Sequence, residues 1–198
     1  MQKKLFSTEH NNQSETFLKS ARIKLRMKLK EYFIDDGNRT DLSKMQANFI
    51  SPEQYAFAHA SLPIACHDIF IEHNGGLLMI VRDKEPMKGK LWVIGGRIER
   101  GLTTEESVIK KAKKECNLDL YDLQYLGAAR IFLSSEPFDH GGGTDNPVFL
   151  YFARGKGELK LDNLHKDTLI VKPNDYSDIR KQLHSYIRDF MDKAIKMI

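Results

Sequence analysis

Residues 95–118 read GGRIERGLTTEESVIKKAKKECNL. A glycine pair closes the apolar run KLWVI at 90–94, a short loop containing Gly101 follows, and a highly charged stretch comes next. Thr103 and Glu106 stand three apart, the spacing of a reciprocal capping box, and Asn117 is a residue type that tolerates the left-handed conformation beyond a helix end. The spacing predicts one helix over 104–116.

On either side of it, short apolar runs alternate with Gly-, Pro- and Asp-marked turns. Strands are expected at 63–71 (PIACHDIFI), 77–82 (LLMIVR), 90–94, 125–132 (YLGAARIF), 147–154 (PVFLYFAR) and 167–171 (DTLIV). His73-Asn74-Gly75-Gly76 reads as a hairpin turn between the first two. The tail carries Ile179, Leu183, Tyr186, Ile187, Phe190, Met191 and Ile195 on one helical stripe, so a single amphipathic helix is expected over 177–197, capping the sheet, with a homodimer contact as the alternative use of that face.

The chain has 198 residues, 29% of them charged, and a formal net charge of +4. That excess is local. Residues 1–46 hold 10 Lys and Arg against 6 Asp and Glu, and residues 47–198 are balanced at 21 against 21. The division is therefore a basic extension, 1–46, and a domain, 47–198. Between Thr16 and Lys30 there is no carboxylate, and Phe17, Ala21, Leu25, Leu29 and Tyr32 fit a helix better than the alternation of Ile23, Leu25, Met27 and Leu29 fits a strand. The extension reads first as a solvated helix laid on the body, and second as a contact for an anionic surface, nucleic acid or partner helix. A balanced body argues against a nucleic-acid-binding domain. No apolar run approaches the ~20 residues of a membrane span. The polar stretch after Lys4 lacks the apolar segment of a signal peptide. Two cysteines, Cys66 and Cys116, make no disulfide framework. A cytoplasmic protein with reduced thiols is expected.

Laid ungapped from Gly96, the 95–118 segment resembles the Nudix box, G-x5-E-x7-R-E-U-x-E-E-x-G-U. That box places carboxylates on one helix face, where they hold Mg²⁺ against a diphosphate. Here Leu102 stands at the first Glu and Lys110 at the Arg. Lys111 and Lys114 stand at two of the three metal-binding glutamates, leaving Glu115, and Asn117 replaces the Gly. Ammonium groups at two carboxylate positions repel a metal cluster. The resemblance implies an α+β Nudix fold, a mixed β-sheet sandwiched between α-helices.

Within the Nudix hydrolases the chain is most similar to the GDP-mannose mannosyl hydrolases, a branch whose helix also lacks most metal glutamates. The resemblance runs from about Ile50 to Asn117 and resumes through Gly143-Thr144-Asp145 and Asp162–Pro173. It implies substrate-binding roles for Asp68, Arg82 and Arg97, with catalytic roles for Arg82, Arg97 and the general base His165. It also implies metal ligation by the Gly95 carbonyl and Glu115, with Mg²⁺ as cofactor. Leu164 stands where the branch carries a metal-ligating Gln. Such enzymes attack the anomeric carbon of a small-molecule nucleotide sugar and expel the nucleoside diphosphate. Imidazole can take the proton of water near neutral pH, and arginines with one Mg²⁺ can neutralise the leaving group. The loop Phe138–Asp145 is read as a lid or sugar-binding loop, and Trp92 as core. Three functions follow: hydrolysis of a nucleoside-diphosphate sugar at carbon; an inactive domain that binds a nucleotide or sugar nucleotide; and ordinary Nudix diphosphate cleavage using Glu99, Glu105 or Asp145.

Overall fold

Two of the expected strand segments, 63–71 and 147–154, become neighbouring strands that are largely buried. In the computed structural model, which describes residues 27–198 apart from 36, 37, 46 and 164, they form the centre of a seven-stranded mixed sheet. Strand β3 (Cys66–His73) pairs parallel with β8 (Thr144–Lys156), Cys66 opposite Val148 and Glu72 opposite Arg154. On the far side β8 pairs antiparallel with β7 (Asp119–Leu133). The other flank is built from β4 (Gly76–Arg82), β5 (Leu91–Trp92), β6 (Ile94–Arg97) and β9 (His165–Val171): β6 lies on β3, while β5 and β9 lie on β4. A separate hairpin, β1 (Ile34–Asp35) with β2 (Asn38–Arg39), precedes the sheet.

Alternation along β3 assigns the two faces. His67 turns to helix α2 (Thr104–Cys116) and bonds Ser107 Oγ at 2.9 Å, whereas Asp68 turns to helix α4 (Ser185–Ala194) and meets Tyr186. The sheet therefore lies between helices, as expected. Its core includes Ile69, Phe70, Leu78, Ile80, Leu150 and Phe152, all buried. Helix α2 starts at the expected capping box, Thr103 with Glu106, and ends at Asn117 with φ 60°. Cys66 and Cys116 are buried free thiols. Among the described residues no helix is long and apolar enough to cross a membrane.

Several expected boundaries move. The run 90–94 is two strands: Trp92 pairs with β4, and after Val93 the chain crosses to β3, so Gly95 and Gly96 lie in β6 and not in a loop. Strand β7 starts at Asp119, six residues before the expected 125; its register shifts between Tyr121 and Gln124, where Asp122 has φ 51°, and again before Gly127, which breaks the alternation. The expected helix 177–197 is interrupted. Helix α3 (Tyr176–Arg180) stops, Leu183 is buried, and the His184 side chain accepts the Tyr186 amide to cap α4. A helix not expected from the sequence, α1 (Pro52–Ser61), begins at a capping box of Ser51 and Gln54 with Pro at its first turn. Of the expected N-terminal helix, residues 27–33 carry none, and the rest lies outside the described residues.

Candidate active site

The β3–β6 register brings the first site residues together by setting Asp68 opposite Gly95 and Cys66 opposite Arg97. A Cβ on Gly95 would lie 2.0 Å from Asp68 Oδ1 and 2.5 Å from the His67 carbonyl, so only glycine fits. Asp68 is 5% exposed, and its Oδ2 accepts the Tyr186 hydroxyl at 2.7 Å. Burial pushes the Asp68 carboxyl up to about 6, with the Tyr186 hydroxyl and the Arg82 charge opposing the rise. Tyr186 in turn stacks on Trp92, ring centroids 5.6 Å apart.

Asp68, Gly95 and Trp92 line a cavity of about 210 Å³ together with Arg82, Gly96, Arg97, Tyr55 and Phe138. Arg97 lies 4.7 Å over the Tyr55 ring, and Arg82 Nε donates to the Pro86 carbonyl at 2.6 Å. Burial lowers the Arg82 pKa, and Asp68 and then Glu115 raise it. The Phe138 loop closes one side of the cavity. Phe138 meets Tyr55 and His59 of α1 edge-on, and His59 Nδ1 is 2.8 Å from His140 Nε2.

Beside the cavity stands a second group. The β4–β9 ladder sets Arg82 opposite His165. His165 Nδ1 is 2.7 Å from Asp162 Oδ1, and its Nε2 is 3.9 Å from Glu115 Oε2, an oxygen buried without a hydrogen-bond partner. The other oxygen of Glu115 is 3.3 Å from Lys111 Nζ, one helical turn earlier on α2. Burial raises the Glu115 pKa, and the charges of Lys111 and His165 oppose it.

Whether this donor set suits Mg²⁺ depends on its oxygens. That ion requires near-octahedral oxygen ligation. Among the described residues no three His, Cys, Asp or Glu side chains are grouped to hold a metal. One Glu115 oxygen is ion-paired to an ammonium, one Asp68 oxygen is bonded to Tyr186, and the other lies against the Gly95 backbone. Of these carboxylate oxygens only Glu115 Oε2 is left without a hydrogen-bond partner, so the described residues offer fewer free side-chain oxygens than a resident divalent ion takes. Leu164 lies outside the described residues.

Of the residues expected from the sequence, Asp68, Arg82, Gly95 and Arg97 line the cavity, and Glu115 and His165 adjoin them. Glu99 and Asp145, offered for ordinary Nudix chemistry, are ion-paired to Lys110 and Arg130. Tyr186 and Tyr55 were not expected in these places, and Asp162 was expected as a replacement for the ligand lost at Leu164, not as the partner of His165. The Ser51–Gln54 capping box was the signal for the helix bearing Tyr55, and Asp162 three residues before His165 was the signal for that pair. Tyr186, 118 positions from Asp68, left none.

Comparison with known proteins gives the following. No family model matches the chain. It is 30% identical over 129 residues to the ADP-ribose pyrophosphatase of Methanocaldococcus jannaschii, a match spanning 65% of this chain and 73% of that protein. It is 26% identical over 143 residues to the low-salt glycan biosynthesis protein Agl8 of Haloferax volcanii, spanning 72% of this chain and 89% of that one. Among solved structures, the MutT Nudix hydrolase of Burkholderia pseudomallei shares the fold, with a TM-score of 0.55 at 18% identity over 67% of this chain and 98% of its own.

Proposed function

The chain belongs to the Nudix hydrolase superfamily, and from that premise we propose that it hydrolyses a nucleoside-diphosphate sugar of the GDP-mannose type at the anomeric carbon. The products are the nucleoside diphosphate and the free sugar. The observation that carries this reading is the setting of His165. In the tautomer whose Nδ1 donates to Asp162, Nε2 is the ring's acceptor, and it stands 3.9 Å from a buried Glu115 oxygen that has no hydrogen-bond partner.

A base so placed suits attack by water on carbon. The water oxygen bonds to the anomeric carbon, and the bond from that carbon to the β-phosphate oxygen breaks with its electron pair on the nucleoside diphosphate. The water proton passes to Nε2, where the resulting imidazolium lies between Asp162 and Glu115. Arg82 and Arg97 neutralise the departing diphosphate, and Asp68 accepts from the substrate beside them. No step of this reading passes through Mg²⁺. A relative described as a glycan biosynthesis protein supports a sugar-bearing substrate.

The ADP-ribose pyrophosphatase relative favours a second reading, in which the same site admits the same class of substrate but water attacks phosphorus. A screen of nucleoside-diphosphate sugars on wild type, His165→Gln and Asp162→Asn tests the first. His165→Gln should lower kcat by on the order of 10²–10⁴, the range for loss of a general base, with KM little changed. Asp162→Asn should lower kcat less, since it disturbs orientation and charge and leaves the base in place. Wild-type turnover by His165→Gln would place the base elsewhere. Binding of a sugar nucleotide by wild type without any turnover would make the chain an inactive binding domain.

A further inference from the structure

We infer that Lys111 takes the place of a divalent cation in this site, so that an ammonium group receives the diphosphate beside the Gly95–Gly96 strand without a metal ion. The inference rests on the reading of a diphosphate-bearing substrate and says how that diphosphate is held.

One ion pair and the open position at Gly96 locate the ammonium. Lys111 Nζ is 3.3 Å from Glu115 Oε1, with the lysine side chain 24% exposed and the carboxylate 7%. The pair is thus a buried carboxylate carrying a cation that still reaches solvent. A Cβ built on Gly96 would meet only Lys111 within 4 Å, its Nζ at 3.4 Å and its Cε at 3.8 Å. Gly96 itself lines the cavity, next to Arg97. The absent side chain at Gly96 therefore leaves the space that the ammonium borders.

Charge and valence agree with that placement. An ammonium has three donors, and the bond to Glu115 engages one, which leaves two for phosphate oxygens. A divalent ion at Glu115 would have to displace a cation already 3.3 Å from the same carboxylate, and would be repelled by it. Lys111 also lowers the pKa of His67 and opposes the rise of the Cys66 thiol, so its field reaches the strand at the cavity wall. Arg82 and Arg97 line the cavity, and Lys111 stands against the Gly96 backbone that also lines it. Cations so placed suit a diphosphate bound as the bare anion.

The test is calorimetric titration of the full chain with GDP, and separately with inorganic pyrophosphate, in EDTA and in excess Mg²⁺. Wild type should bind both probes in EDTA, with Kd within a factor of about two of the Mg²⁺ value, and Lys111→Gln should weaken binding roughly 10- to 100-fold. Because Lys111→Gln leaves Glu115 without its lysine, the double variant Lys111→Gln/Glu115→Gln removes both charges; it should be equally weak while keeping the wild-type near-ultraviolet circular dichroism. Lys111→Glu puts two carboxylates one turn apart and should bind GDP only when Mg²⁺ is added. Loss of wild-type binding in EDTA with recovery in Mg²⁺ would overturn the inference. So would an unchanged Kd in both glutamine variants, or no binding of either probe under any condition. Metal-free binding without turnover of any sugar nucleotide would keep this inference and sink the proposed reaction. Turnover that strictly requires Mg²⁺ would do the reverse.

Discussion

Asp68 and Gly95 compete for the same few ångströms, and the site depends on the glycine yielding. An alanine there would bring its Cβ within 2.0 Å of a carboxylate oxygen that is also held by Tyr186. Gly95→Ala should cost about 3 kcal/mol or more, the upper range for overpacking, and lower Tm by roughly 6–12 °C. Gly75→Ala is the matched control. Its φ is +78° and nothing lies within 4 Å, so it should lose only about 1–2 kcal/mol of conformational strain. Equal melting temperatures for the two variants would mean that the Asp68–Gly95 approach is looser than described. At this scale the sequence was informative wherever a residue type announces its chemistry. Asp68, Arg82, Arg97, Glu115 and His165 were nominated by the resemblance to the mannosyl hydrolases, and their ionisable types suit the roles that it implies. Tyr186 was hidden because its phenol serves the site from another helix while its ring reads as core. In the run of lysines, Lys110 and Lys111 read either as solvated or as phosphate-binding; the pairing of Lys111 with Glu115 and its approach to Gly96 separate it from Lys113, which bonds Asp119 and the Asn117 carbonyl.

Helix α2 is the element that carries both members of the Lys111–Glu115 pair, and two devices hold its first turn. Thr103 accepts the Glu106 amide, and Glu31, from the segment before the sheet, accepts from the amide and hydroxyl of Thr104 at 2.9 and 2.8 Å. Thr103→Ala should destabilise by about 1 kcal/mol. Glu31→Gln keeps an acceptor but removes charge from the helix N-terminus, and should cost roughly 0.3–1 kcal/mol, less at high salt. Urea unfolding of each variant and of the pair measures both; no change for Glu31→Gln at low salt would mean that this contact contributes nothing. The helix was legible to the residue, because capping boxes and left-handed stops are local codes. The strands were legible in number more than in extent. Bulges in β7 scramble the alternation, and a chain that changes partners at Val93 gives one apolar run for two strands. The C-terminal stripe was legible as a buried face, but the break before Ser185 was not, because a side-chain cap by His184 and a buried Leu183 both fit a continuous helix pattern.

At the scale of the molecule, the parallel pairing of β3 with β8 and the return of β9 along β4 bring together residues from both ends of the domain. Asp68 and His165 stand near one another only because of that topology. The segment before residue 46 belongs to the packing as well as to the charge balance: Glu31 caps α2, and Gly101 has no room for a Cβ because the Met45 carbonyl lies 2.5 Å from where it would stand. The mixed sheet between helices was legible from the order of apolar runs, whereas the closure of the cavity by α1 and the Phe138 loop was not. In the proposed reaction water reaches the sugar and not phosphorus, and hydrolysis of the preferred nucleoside-diphosphate sugar in ¹⁸O-water, with the products read by mass spectrometry, tests this. The label should appear in the free sugar, with the nucleoside diphosphate unlabelled. Label in a phosphate oxygen of the nucleotide product would contradict it.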